Sequence, residues 1–400
     1  MNNSEQLEKI EQIKEFLKQK DIKNIYLVFT DTNGKILYKS VGVEELIRNT
    51  HVSWFDGISI NGNLIEDFKT SKKSEWLVIL PDANAFYYLP FIDEKEQSSC
   101  MIICDYKAFP YDTRKLLKDV VEKYLGMGIT PIIGPEYIYS LDEKDKQDFY
   151  CSLPVYNYNK FNNKLVNNLL DANIAIEYYM PFGDKHNRID LVPDVANISA
   201  DKLLVCRWFS ENLAYLENTS ILLSSPGNET ISSCPSHFSL WKGNREKNLF
   251  FDGEEENELS MLGNKFINGV LYFNKFIKAV IKSCTKQEVK NYMVNYSTNR
   301  DNSLIQVPLY FNEKQKKDRI GWSKRCIFNG INADCNYYLV YATILYAGFI
   351  GINNNKFFEI EKRNDDYTNT ELIEEVENNE YFKEVFNTEL IKKIVEKLKS

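Results

Sequence analysis

Residues 111–141 read YDTRKLLKDVVEKYLGMGITPIIGPEYIYSL, and the order of elements in this stretch decides how the rest of the chain is organised. Asp112 can cap free backbone amides, which predicts a helix over residues 114–125. Leu116, Leu117, Val120, Val121 and Tyr124 form one face of that helix, and Gly126 can end it. An apolar strand, Ile129 to Ile133, comes next, then the turn pair Gly134-Pro135 and a single carboxylate, Glu136. On an extended strand Glu136 shares its face with Ile138, two residues on, while Tyr137 and Tyr139 point the other way.

Working outward, NIYLVFT (24–30) and ILYKSV (36–41) are β-rich runs joined by DTNGK, whose Asn33-Gly34 pair suits a tight hairpin turn. An amphipathic helix carrying Leu7, Ile10, Ile13, Phe16 and Leu17 precedes them and lacks the apolar core of a signal peptide. Beyond the central stretch, one long helix is expected from about Leu259 to Ile281, with the acids Glu254 to Glu256 at its start, where carboxylates favour the helix dipole. The uncharged run Tyr337 to Ile352 is shorter than the ~20 residues a bilayer span needs and reads as a buried helix. The tail from Thr370 to Leu398 reads as two amphipathic helices.

The totals narrow the function. A chain of 400 residues with 44% hydrophobic content can bury two domains. A net charge of −8 with no basic stripe argues against nucleic acid or an anionic membrane as partner. Eight scattered cysteines without a CxxC pair indicate neither a zinc site nor a disulfide framework, and the chain reads as cytoplasmic. There are only three histidines, His51, His186 and His237, and there is no GxSxG elbow, GxxxxGK[ST] loop or GxGxxG turn.

The succession VFTDTNGKILYKSV, WFDGISI, the stretch around GPE, SHFSLW with NLFFDG, NYYLVYATILYAGFIGI and an acidic helical tail resembles glutamine synthetase over nearly the full chain. The resemblance implies an α+β protein: a small β-grasp-like N-terminal domain over residues 1–97, then a catalytic-type α/β domain over residues 98–400 with a helical C-terminal tail. It also implies ring-shaped oligomers with active sites between neighbouring subunits. Such enzymes activate glutamate with ATP as an acyl phosphate that ammonia then displaces, which requires divalent ions held by hard oxygen ligands.

Residue by residue, this sequence departs from that pattern. Glu136 stands at the first acid of the family's GPExE, but Ile138 replaces the second. In MPFGDKHNRID, Pro181 and Arg188 fall at two further metal glutamates, or Phe182 in place of Pro181 after a slip of one residue. In TISSCPSHFSLW, Pro235 falls at the ligating histidine, while His237 and Ser239 persist. In RCIFNGIN, Arg325 persists but Ile327 replaces a glutamate and Asn329 an arginine. The flap segment NYSTNRDNSLIQVP offers no acid at the family's place, and Lys314 and Lys316 stand near phosphate-facing arginines. Asp56, in the FDG segment, corresponds to a residue that helps bind ammonium.

Glu136 is therefore the single remnant metal ligand, and Arg188 is a natural donor to it, a guanidinium in place of a lost cation. The expectation is a catalytically degenerate glutamine synthetase-like protein, a pseudoenzyme with a structural or regulatory role and no cofactor, assembled as a homo-oligomeric ring or with a true glutamine synthetase. The alternatives are an ATP-dependent carboxylate-amine ligase that uses Mg or Mn through Glu136, and a small-molecule sensor.

Overall fold

In the computed structural model the chain is described at residues 3–48, 50–68, 76–90, 98–141, 159–182, 186–223, 234–299, 302–309 and 323–400. An N-terminal helix α1 (Asn3–Gln19) leads into the hairpin β1 (Asn24–Thr30) and β2 (Ile36–Gly42). The turn is closed by the Asp31 carboxylate, which accepts from the amides of Asn33 and Lys35, and Gly34 supplies the positive φ. After α2 (Val43–Arg48) come β3 (Ile58–Asn61), β4 (Trp76–Leu89) and β5 (Ser99–Tyr106), giving one sheet in the order β2-β1-β5-β4-β3. Ile10, Ile13 and Leu17 of α1 join the core of this sheet. Because β5 is an inner strand, the sheet continues past residue 97 to Tyr106, beyond the expected domain boundary.

The helix α3 (Thr113–Leu125) is capped by Asp112, whose side chain accepts from the Lys115 amide. It is followed by the 13-residue strand β6 (Ile129–Leu141), and then by α4 (Asn159–Asp171), β7 (Ile176–Phe182), β8 (His186–Leu191), β9 (Asp194–Val195), α5 (Ala196–Leu216) and β10 (Ile221–Leu222). The remaining elements are β11 (Ser236–Lys242), β12 (Lys247–Asn248), α6 (Met261–Tyr272), α7 (Asn274–Ser283), β13 (Met293–Ser297), β14 (Ser303–Gln306), β15 (Cys326–Phe328), α8 (Tyr337–Asn353), α9 (Asn369–Asn378) and α10 (Thr388–Lys399). The second sheet runs β13-β14-β15-β11-β6-β8-β7, with β9, β10 and β12 as short additions. The architecture is α+β.

Two expectations are corrected. The single helix expected from Leu259 to Ile281 is two, α6 and α7, broken at Phe273 (φ −88°, ψ 15°), where the Asn274 side chain donates to the Leu271 carbonyl and competes with the helical ladder. The acids Glu254 to Glu256 do not start it, since Ser260 caps α6 and the left-handed pair Asn257-Glu258 intervenes. α8, apolar all round, is buried at the centre of the helical layer, and no helix among the described residues is long and apolar enough to cross a membrane.

α6 and α8 touch backbone to backbone. A Cβ on Gly269 would lie 2.3 Å from the Ala347 carbonyl oxygen, and one on Gly351 would lie 2.3 Å from that of Lys265. Gly269→Ala should therefore cost about 2–3 kcal/mol by overpacking, measured by urea unfolding.

A buried ionic cluster joins the first sheet to α3 and α5. Arg114, in the first turn of α3, reaches Asp82 (2.9 Å), Asp105 (2.6 Å) and Asp201 (2.7 Å), and Lys118 reaches Asp82 and Asp105 at 2.7 and 2.6 Å. Burial alone would raise the Asp82 and Asp105 carboxyls, but Arg114 and then Lys118 overcome it and hold both below the usual range. Arg114→Ala should cost about 3–5 kcal/mol at pH 7, because three carboxylates lose their shared cation. With folded pKa values depressed, that contribution is complete above the unfolded carboxyl value near ~3.9 and fades as pH falls below it. The difference between variant and parent in urea should accordingly shrink below about pH 4.

Candidate functional site

β6 changes partners in its middle. Residues 129–135 pair with β11, ending at Pro135 opposite Ser236, and residues 136–140 pair with β8, starting at Glu136 opposite Asp190. Pro135 has no N–H to give, and the ladder switches at the next residue, whose amide donates to the Pro235 carbonyl. Gly134 leaves room for Pro193, whose Cγ would lie 2.8 Å from any added Cβ. Alternation then sorts the side chains. Tyr137 and Tyr139 enter the core, where their hydroxyls meet Ser210 (2.6 Å) and Asn162. Glu136 and Ile138 face a cleft of about 460 Å³.

The Glu136 carboxylate lies 2.9 Å from Arg188 Nη2 and 2.5 Å from His237 Nε2. Arg188 stands opposite Ile138 and reaches diagonally to Glu136. It also binds both oxygens of Asp190, with Nε to Oδ1 and Nη2 to Oδ2 each at 2.6 Å. Glu136 and Asp190 are direct cross-strand neighbours, a placement in which like charges repel, and the guanidinium bridges them. Tyr178 and Phe182 flank it with ring centres 5.8 and 5.5 Å away. Burial opposes the charge on Arg188, but Asp190 and Glu136 prevail and hold it firmly protonated. Burial, and then Asp190, push the Tyr178 phenol up to about 12.

The remaining expected residues divide. Pro235, Arg325, Ile327 and Asn329 line the same cleft as Glu136, Ile138, Arg188 and His237. Arg325 Nε is buried with no hydrogen-bond partner among the described residues. Pro181 does not line the cleft: it pairs with Asn187, on the opposite face from Arg188, and Phe182 takes the place expected for it. Ser239 is not on the lining either and accepts from Trp241 Nε1 at 3.0 Å. Asp56 lies away from the cleft on the first sheet's margin, 3.7 Å from His51. Lys314 and Lys316 are outside the described residues. Tyr178, Lys290 and Tyr292 also line the cleft and carry no motif in the sequence, whereas the spacing of Asp190 from Arg188 places those two on one face.

The donors present do not fit the paired divalent ions of the family. Among the described residues no three or more His, Cys, Asp or Glu side chains are arranged to hold a metal. Glu136 and Asp190 converge, but on a guanidinium, and His237 Nε2 is bonded to Glu136. A doubly charged ion ~4 Å from Arg188 would be repelled by roughly 8 kcal/mol at an effective dielectric of 20.

Residues 110–397 match the family described as glutamine synthetase, catalytic domain. Glutamine synthetase of Thermotoga maritima is 26% identical over 371 residues, covering 86% of this chain and 81% of that one. Glutamine synthetase of Mycobacterium tuberculosis is 25% identical over 368 residues, covering 84% and 78%. A solved structure described as a novel glutamine synthase homolog superposes with a TM-score of 0.80 at 17% identity, over 94% of this chain and 93% of that one. The match spans both the strands that build the cleft and the helices behind them, and the chain belongs to the glutamine synthetase family.

Proposed function

We propose that this chain is a non-catalytic member of the family with a structural or regulatory role in an oligomeric assembly, either a ring of its own copies or a mixed assembly with a true glutamine synthetase. The observation that carries the reading is Arg188, which bridges Glu136 and Asp190 where the family's chemistry calls for a metal ion. Ile138, Pro235 and Ile327 turn the cleft wall apolar. The reading places the protein in the cytoplasm, and the seven described cysteines, all buried free thiols, support it.

Calorimetry with Mg-ATP and Mn-ATP should give no saturable binding, and glutamate, ammonia and ATP should give no glutamine. Metal-nucleotide binding with phosphate release would instead establish a ligase of altered specificity. Native mass measurement should give a multiple of the chain mass, and a monomer at micromolar concentration would remove the assembly role.

Arg188 itself can be tested separately. Arg188→Ala leaves two facing carboxylates without their cation and should cost about 3–5 kcal/mol in urea unfolding. The same variant frees Glu136, Asp190 and His237 to act as ligands, so millimolar Mn²⁺ should raise its thermal midpoint while leaving the parent unchanged. Adding Glu136→Gln should abolish that rise. An equal response of parent and variant to Mn²⁺ would show that Arg188 does not occupy the cation's place.

A further inference from the structure

Cys284 ends α7 and Cys335 precedes α8, and the two thiols meet in the interior. Both donate to one carbonyl oxygen, that of Ile281, with Sγ to O distances of 3.4 Å for Cys284 and 3.8 Å for Cys335. The Cys335 thiol is also in hydrogen-bonding contact with Cys284. Their flanks are clasped: Asp334 accepts from the Thr285 hydroxyl and, at 3.1 Å, from the Lys286 amide, and Asn332 donates to Thr285 at 3.3 Å. The other described thiols are held elsewhere, as with Cys234, which donates to the Glu136 carbonyl.

We propose that Cys284 and Cys335 form a reversible redox pair whose disulfide braces one wall of the cleft. The segment between them carries β13, β14 and β15 together with Lys290, Tyr292, Arg325 and Ile327, so the bond would close a ring of about 50 residues around that wall. Cys335 leads directly to Asn336, which caps α8 and donates to the Asp31 carbonyl at 3.0 Å, so the brace also reaches the tip of the first sheet's hairpin.

The thiols differ in readiness. Burial, then contact with Cys284, then Asp334 push the Cys335 thiol well up. Cys284, at the end of α7, is the attacking sulfur and the raised Cys335 thiol the resolving one. The oxidant is a low-molecular-weight disulfide, RSSR. The Cys284 thiolate attacks one of its sulfurs and breaks the S–S bond, releasing RS⁻, which takes up the proton Cys284 gave. Cys335 then loses its proton to water and displaces the second RS⁻ from the mixed disulfide. Two protein thiols are oxidised and one RSSR is reduced to two RSH.

The test incubates the full chain with glutathione disulfide in urea below the unfolding transition, which admits the reagent to buried thiols. Peptide mapping should find the 284–335 cross-link, dithiothreitol should reverse it, and the oxidised protein should melt roughly 5 °C higher than the reduced one. Cys284→Ser and Cys335→Ser should each abolish both the cross-link and the shift while keeping the reduced parent's midpoint within a few degrees. A folded parent that yields no cross-link, one that pairs another cysteine such as Cys151, or a 284–335 bond that leaves the midpoint unchanged or lower overturns the proposal.

Discussion

Two carboxylates facing each other across adjacent strands need a cation between them, and the architecture of the cleft follows from how Glu136 and Asp190 obtain theirs. A divalent ion and a guanidinium meet that need differently. The ion arrives from solution and must be ringed by oxygen donors from several strands. Arg188 is tethered two residues from Asp190, brings its own planar set of N–H donors, and is seated between Tyr178 and Phe182. Once the positive charge belongs to the strand itself, further acids around it are superfluous. Ile138 directly opposite Arg188, and Ile327 opposite His237 on the next pair of strands, can then be aliphatic at no electrostatic cost.

The same solution recurs where the first sheet meets the helices, with Arg114 at the centre of Asp82, Asp105 and Asp201. These acids come from β4, β5 and α5, so one side chain fixes the angle between the first sheet and the helical layer. A second brace lies on the far side, where Lys393 and Lys397 of α10 hold Asp67 at 3.1 and 3.3 Å. A buried pair adds little net stability over an apolar packing of equal volume, yet it is intolerant of losing one partner. Such contacts therefore specify the arrangement more than they deepen it.

Elements with long, regular periodicity were legible in the sequence: the hairpin of β1 and β2, α3 with its Asp112 cap, the buried α8 and the two tail helices. The break between α6 and α7 was not, because the apolar stripe runs on through Phe273 and only the Asn274 side chain interrupts the ladder. In the cleft, the pairing of Glu136 with Arg188 could be read from parity and charge, since both stand on strands and a buried carboxylate asks for a cation. Between Pro181 and Phe182, the two positions the sequence left open, the alternation of β7 puts Phe182 on the cleft face, since a shift of one residue moves a side chain to the other face. Arg114 was unreadable for a different reason. A basic residue in the first turn of a helix looks solvent-facing until three aspartates, two of them from the preceding sheet, are brought to it.

The alternation of β6 explains how a fold can be kept while a site is rewritten. On one face Tyr137 and Tyr139 stack on each other, 5.3 Å apart, and anchor α4 and α5 through Asn162 and Ser210; changing them would disturb the core. On the other face Glu136 and Ile138 line the cleft, so a change of side chain there alters its chemistry while the two tyrosines keep their own contacts. Because neighbouring residues of one strand answer to different constraints, the cleft face can change its side chains one after another, provided each buried carboxylate keeps a counter-charge. Glu136 is the residue for which that condition is hardest to meet, being buried at the point where β6 changes partners, and it retains both Arg188 and His237.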